Sequence, residues 1–373
     1  MTITPIISEI ANLKPRLKVG TLVLPRGERT FVGRIDSGIE VSLPAAQIIL
    51  IAMTGSASCQ EISTDLGVPL DRLACLVREL DRANLLDTQQ TKITVHTRFH
   101  SPSPHRSTHL GDDSNDGAYR QLQSKLSPEL SFTTWLSDVR DGGVSLMSER
   151  RNCEITIFGD SRIATLLYGI LLGSGISHTS LIISREPATI TEQDLCAGYL
   201  RASDIGLSLK SRTNELAREL SLFPVLPSQS VDKERLTQKI NVAIGTPPAD
   251  QLQQWMSEGV PHLLVENPDC AAISIGPLVL PGKTPCWRCI CLAKEEQNIV
   301  WREIEWQKMA ARPAEVPVAV AHNVAGLVAL ELLRFIDVGQ SELIGNSVRL
   351  NYHSPCNSER RLYTRHPACG CNW

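Results

Sequence analysis

Hydrophobic positions follow two different rhythms along the chain. Between Leu17 and Leu43 they come in short alternating runs: Leu17-Lys-Val-Gly-Thr-Leu-Val-Leu24, Thr30-Phe-Val-Gly-Arg-Ile35 and Ile39-Glu-Val-Ser-Leu43. Period two predicts strands with one face inward. Three helical stretches follow. Pro44 to Met53 opens with proline in its first turn, where a missing N–H is harmless. Ser58 to Leu66 carries Glu61 three residues after Ser58, a capping box, and Gly67 ends it. Leu70 to Leu86 places Leu73, Leu76, Val77 and Leu80 on one stripe. Three strands and then three helices predict a winged-helix-like domain over residues 1–93.

The second rhythm begins after residue 117. A short helical segment (Ala118 to Leu136) precedes strands at Cys153–Phe158, Thr179–Ile183, Lys239–Ile244 and His262–Val265. Helices at Arg162–Leu172, Thr213–Leu222 and Asp250–Met256 alternate with them. Such alternation predicts a doubly wound, mostly parallel sheet in an α/β domain spanning 118–373. Its later half adds Ala272–Leu280, a long apolar helix Val318–Ile336, and strands at Val348–Tyr352 and Arg360–Tyr363. Residues 94–117 between the domains are rich in Ser, Pro, His and Asp and read as a flexible polar tether. Its His96, His100, His105 and His109 fit no metal spacing.

Composition acts mainly by exclusion. A net charge of −3 on 373 residues gives no case for nucleic-acid or membrane attraction. Met1 to Arg16 lacks the basic start and apolar stretch of a signal peptide. Val318–Ile336, the nearest approach to a membrane span, is interrupted by His322, Asn323, Glu331 and Arg334. Eleven cysteines without a secreted-scaffold rhythm point to a reducing, cytoplasmic setting.

Four of those cysteines carry the clearest chemistry. Cys286 and Cys289 in Pro285-Cys-Trp-Arg-Cys pair with Cys369 and Cys371 in Ala368-Cys-Gly-Cys. Two such pairs make a closed four-thiolate site, the geometry of a structural zinc. Cys291, two residues beyond Cys289, is an alternative ligand. Cys59, Cys75, Cys153, Cys196 and Cys270 read as small packing residues, Cys356 as a free thiol, and His322 as a hydrogen-bonded core histidine.

The first strand–turn–helix of the α/β domain is Cys153–Phe158, then Gly159-Asp160-Ser161, then Arg162 onward. A nucleotide site would need a glycine-rich turn there. Only Gly159 remains, and Asp160 puts a negative charge where phosphate would sit. Ser184 and Arg185 stand where an acidic residue would hold a ribose. Gly245-Thr246-Pro247-Pro248 offers no carboxylate for magnesium. These features predict no ATP binding.

Gly276-Pro-Leu-Val-Leu-Pro-Gly-Lys-Thr-Pro-Cys-Trp-Arg-Cys289, His366-Pro-Ala-Cys-Gly-Cys371 and the Gly159 region resemble the ThiF/MoeB-like partner proteins of YcaO cyclodehydratases. Those proteins serve the biosynthesis of thiazole/oxazole-modified peptides, including thiopeptides. The resemblance implies that the N-terminal module recognises the leader of a ribosomally made precursor peptide. It implies that a separate YcaO chain spends ATP to form azolines, and that this chain is itself no enzyme. Leu207 and Leu209 stand where catalytic relatives usually carry a lysine. A homodimer through Val318–Ile336 is a further expectation.

An edge strand can be completed by an extended peptide. Ile39, Glu40, Val41, Ser42 and Leu43 are the expected edge, with Leu73, Leu76, Val77 and Leu80 as the wall and Arg72 and Arg78 for acidic leader residues. Two rival readings remain: an active ATP-dependent peptide adenylyltransferase, and a winged-helix DNA regulator. The second fares poorly, because Asp71 to Arg82 carries three acidic residues and three arginines and is neutral.

Overall fold

The computed structural model describes residues 10–35, 37–89, 113–136, 138–184, 188–223, 236–269, 271–310 and 315–372. The chain divides into two compact units, Met1–Ser148 and Glu149–Trp373. Residues 94–112 of the expected tether, with its four histidines, lie outside the described residues, and 113–117 open a helix.

In the first unit, β1 (Arg16–Leu17) is followed by β2 (Leu22–Arg26), β3 (Arg29–Arg34) and β4 (Ser37–Val41). The single strand expected from Leu17 to Leu24 breaks in two, because Gly20 turns the chain at φ 85°. Strands β2, β3 and β4 form an antiparallel sheet in that order, so β4 is an edge. Helices α1 (Ala46–Ala52), α2 (Cys59–Leu66) and α3 (Leu70–Arg82) follow. Ser58 accepts from the Glu61 N–H while the Glu61 carboxylate accepts from the Ser58 N–H, the predicted capping box. Helix α3 stops short of its predicted end because Asn84 adopts φ 57°, and β5 (Leu86–Asp87) then pairs with β1. Leu73, Leu76, Val77 and Leu80 pack with Val32, Val41, Ile49 and Leu50 into one core.

Helix α4 (Asp113–Thr133) completes this unit. Lys18, 1% exposed, ties the segment after it to the sheet. Its Nζ donates to Asn84 Oδ1 at 2.6 Å, Thr134 O at 2.6 Å and Val139 O at 2.8 Å. Burial lowers the Lys18 pKa to about 8.

Helix α5 (Val144–Arg151) leads into the second unit. There, strands β6 (Cys153–Phe158), β7 (His178–Ile182), β8 (Gln238–Ile244), β9 (His262–Val265), β10 (Ala272–Val279), β11 (Asn346–Asn351) and β12 (Glu359–Leu362) form one sheet. Its order is β12-β11-β10-β9-β8-β6-β7. Strands β7, β6, β8 and β9 are parallel, and the rest pair antiparallel. Because β11 reverses β10, it points with the first four, so five of the seven strands share one direction. The helices are α6 (Arg162–Gly173), α7 (Leu209–Leu220), α8 (Ala249–Ser257), α9 (Trp287–Gln297), α10 (Trp301–Ala310) and α11 (Val318–Val338).

Helices α6 and α11 pack along each other against the sheet. Helix α11 is long and apolar enough to cross a membrane by length and composition. Here Ala321, Val324, Ala325, Val328 and Leu332 are buried in the same core as Ile155, Ile157 and Leu167. Arg150 ties the end of α11 to α5: its Nε donates to Asp337 Oδ1 at 2.8 Å, and both side chains are almost fully buried.

Candidate functional site

Two places in the second unit concentrate chemistry. The first is the cysteine cluster. Cys286 is the N-cap of α9, and Cys289 lies in its first turn. Cys369 and Cys371 come back to them from the segment after β12. Sulfur separations are 3.8 Å for Cys286–Cys289, 3.5 Å for Cys286–Cys369 and 3.3 Å for Cys289–Cys371. All four sulfurs lie within 4.8 Å of one another. Ligands of a tetrahedral four-thiolate site with bonds of about 2.3 Å stand roughly 3.8 Å apart, so the cluster could hold one metal ion. Burial pushes the Cys286 thiol well above its ordinary range. A dry site opposes a lone thiolate, and a divalent cation compensates it. Cys291 is outside the cluster, and burial raises its thiol to about 12.

The second place is the crevice at the carboxyl ends of β6 and β8. Strand β6 continues through α6 to β7 on one side, while β8 lies on its other side. Ligands of open α/β sheets gather at such a switch point. The turn comes close to β8: a Cβ on Gly159 would stand 2.9 Å from Ile244 O. Ser161 caps α6, accepting from the Ala164 N–H at 3.4 Å. The crevice is a cavity of about 80 Å³ whose polar lining is Asp160, Ser161, Glu266, Asn267 and Glu315. Among the described residues, no lysine or arginine lines it. Pro268, Ile273 and Val316 are shared with a larger neighbouring cavity of about 630 Å³. That larger cavity is mostly apolar, with Asn323 and Asn351 the only amide side chains among its described lining residues. Sequence reasoning found Gly159, Asp160 and Ser161 but missed Glu266, Asn267 and Glu315. Those three arrive from distant segments, and nothing local in the sequence marks them.

His322 is held between two carbonyls, Val318 O at 2.9 Å from Nδ1 and Ala197 O at 3.0 Å from Nε2. That is the hydrogen-bonded environment expected of it.

In the first unit, β4 is the edge of its sheet. Val41 is buried, Ile39 and Leu43 are half-buried, and Glu40, Ser42 and Arg72 are exposed. Glu40 pairs with Arg29 at 3.0 Å. Leu73, Leu76, Val77 and Leu80 face the core, and Arg78 is half-buried. Those four side chains are therefore buried in the core and offer no exposed wall to a chain lying along β4.

No family model and no curated protein matches the chain. Solved structures do. E. coli MccB with AMPCPP and MccA is 15% identical, covers 96% of this chain and 99% of its own, and superposes with a TM-score of 0.59. MccB bound to N-formylated MccA, described as a microcin C7 biosynthetic enzyme, gives 14%, 96%, 99% and 0.56. The heterocyclase TruD also matches 96% of this chain at 14% identity and TM-score 0.56, but only 42% of its own length is involved. At these identities the likeness establishes the fold, which is that of the ThiF-like proteins expected from the sequence. It also corrects one expectation, that the chain is not an enzyme. Proteins of this fold over nearly the whole chain are a biosynthetic enzyme, also solved with ATP, and a heterocyclase.

Proposed function

We propose that the chain is the precursor-holding component of an enzyme that modifies ribosomally made peptides, forming azolines together with a YcaO-type chain that spends ATP. The observation that carries this reading is the likeness to the heterocyclase TruD. This chain's fold accounts for 42% of that protein. The remaining function would come from a second polypeptide. The first unit would hold the leader as an added strand on β4, with Arg72 available to acidic leader residues. A tethered precursor presents its Cys, Ser and Thr residues repeatedly for each binding event, which raises their effective concentration. The four cysteines would hold a structural zinc that anchors the segment after β12 to α9.

A second reading, adenylylation of a peptide by this chain alone, draws on the MccB structures containing AMPCPP or ATP. The test is titration of a labelled leader peptide into the full chain, followed by mass spectrometry of the precursor with ATP, with and without the YcaO-type chain. Binding that ignores ATP, falls about tenfold in Arg72→Glu, and leads to loss of water only with the second chain supports the first reading. ATP–pyrophosphate exchange by the chain alone would replace it with the second.

A further inference from the structure

The cavity of about 630 Å³ has α11 on one side and the sheet on the other. Ala319, Val320 and Asn323, in the first two turns of α11, form one wall. The facing wall is where β10 begins and β11 ends, with Ile273 paired to Leu350 and Ala272 to Asn351. Ile273 is buried in the core of the second unit, and Val320 and Leu350 pack against that core. The cavity floor is therefore core that the chain leaves uncovered. Folded chains seldom leave a sizeable apolar surface wet unless something binds there. The volume falls within the roughly 300–1,000 Å³ of a small-molecule site.

Two features of the lining select the ligand. Among the described residues, no charged side chain lines the cavity. A charged ligand would lose water there and gain no counter-ion, so the occupant is neutral. The second feature is the pair of amides. Asn323 is exposed, and its side chain has no hydrogen-bond partner among the described residues. Asn351 Oδ1 accepts the His353 N–H at 3.0 Å, which leaves its NH₂ group free to donate. An asparagine amide carries both donors and an acceptor, the complement of a peptide group. A pure hydrocarbon would cover these amides without pairing them, at a cost in free energy. A peptide segment pairs them through its backbone and fills the remaining space with apolar side chains.

We propose that this cavity binds a short, uncharged, apolar stretch of peptide, gripped through its backbone by Asn323 and Asn351. The source of that stretch rests on the peptide-modification reading: it belongs to the precursor, outside the leader. Pro268, Ile273 and Val316 line both this cavity and the polar crevice. A segment seated here therefore lies directly beside Asp160, Glu266 and Glu315, and residues next to it in the peptide enter the crevice.

The experiment is calorimetric titration of three ligands into the full chain. The first is a tetrapeptide of alternating valine and leucine, N-acetylated and C-amidated. The second is the same peptide with aspartate at its second position. The third is decanol, which is apolar but carries no amide. Saturable binding of the first is expected, with the second at least about tenfold weaker. Ala319→Trp, at an exposed position of α11, fills the cavity and should abolish binding. Asn323→Leu, one turn further on, keeps the apolar volume and removes the amide. It should weaken the first peptide at least about tenfold and leave decanol unchanged. Circular dichroism confirms that each variant folds. Absence of peptide binding, or binding indifferent to Ala319→Trp, overturns the site. Equal peptide affinity in Asn323→Leu and wild type, or decanol bound as tightly as the peptide, overturns the amide grip. The capped peptide carries no leader and needs neither ATP nor a second chain. Failure here therefore leaves the leader titration standing, and failure there leaves this site standing.

Discussion

At Gly159 the backbone adopts φ 144°, and a side chain would run into Ile244 O at 2.9 Å. Gly159→Ala should therefore cost roughly 1–3 kcal/mol, strain of the kind stored at unusual backbone positions. A denaturant titration of the full chain reads it. The glycine is needed so that the turn can approach β8, whether or not any phosphate follows. That explains how it was legible in the sequence while its meaning was not. Gly159 and Asp160 lie in one short stretch, but the carboxylate that faces α6 comes from 153 residues away. No spacing rule links such a pair. The cysteines were legible for the opposite reason. Each pair is local, and only the meeting of the two pairs needed the fold.

At the scale of elements, the capping box on α2 was readable because both partners lie within four residues. Its Ser58 donors hold the Glu61 carboxyl below its usual range, the backbone N–H first and the hydroxyl second. A lowered carboxyl contributes stability that is present above its unfolded pKa of about 4.3 and is lost as pH falls through the folded value. Glu61→Gln should flatten that acid limb in a melting-temperature series across pH 3 to 6 on the order of those values. Ser58→Ala should cost about 1 kcal/mol at neutral pH. Helices α5, α9 and α10 were missed. Helix α9 turns Cys289 and Ile290 inward, beside the sulfur cluster, and Cys286 is its cap. It therefore shows no long apolar stripe. Helix α10 leaves Trp306 and Ile304 exposed, so its apolar residues mark no buried face.

Over the second unit as a whole, α11 is the spine, and the Arg150–Asp337 pair fastens its last turn. Both side chains are nearly out of water, 4% and 3% exposed. Asp337→Asn removes the counter-charge of a buried guanidinium that keeps its bond to Ser174 O, and should cost roughly 3–5 kcal/mol, measured by chemical denaturation. The direction of the sheet was legible from its alternating strands and helices, and its antiparallel rim was not, because β10 to β12 pair through chain segments of unequal length. That rim is also where the cysteine cluster acts. Cys286 and Cys369 are 83 residues apart, and the stretch between them contains α10, α11, β11 and β12. An ion bridging the two ends would close that excursion like a clasp. Stripping it with a chelator should leave β6 to β9 guarded by their buried neighbours while β12 opens, and trypsin should then cut at Arg360 and Arg361 far sooner. Protection of β12 that is indifferent to chelation would deny the clasp. Metal supply would then govern how long the protein survives in a cell more than what shape it takes there.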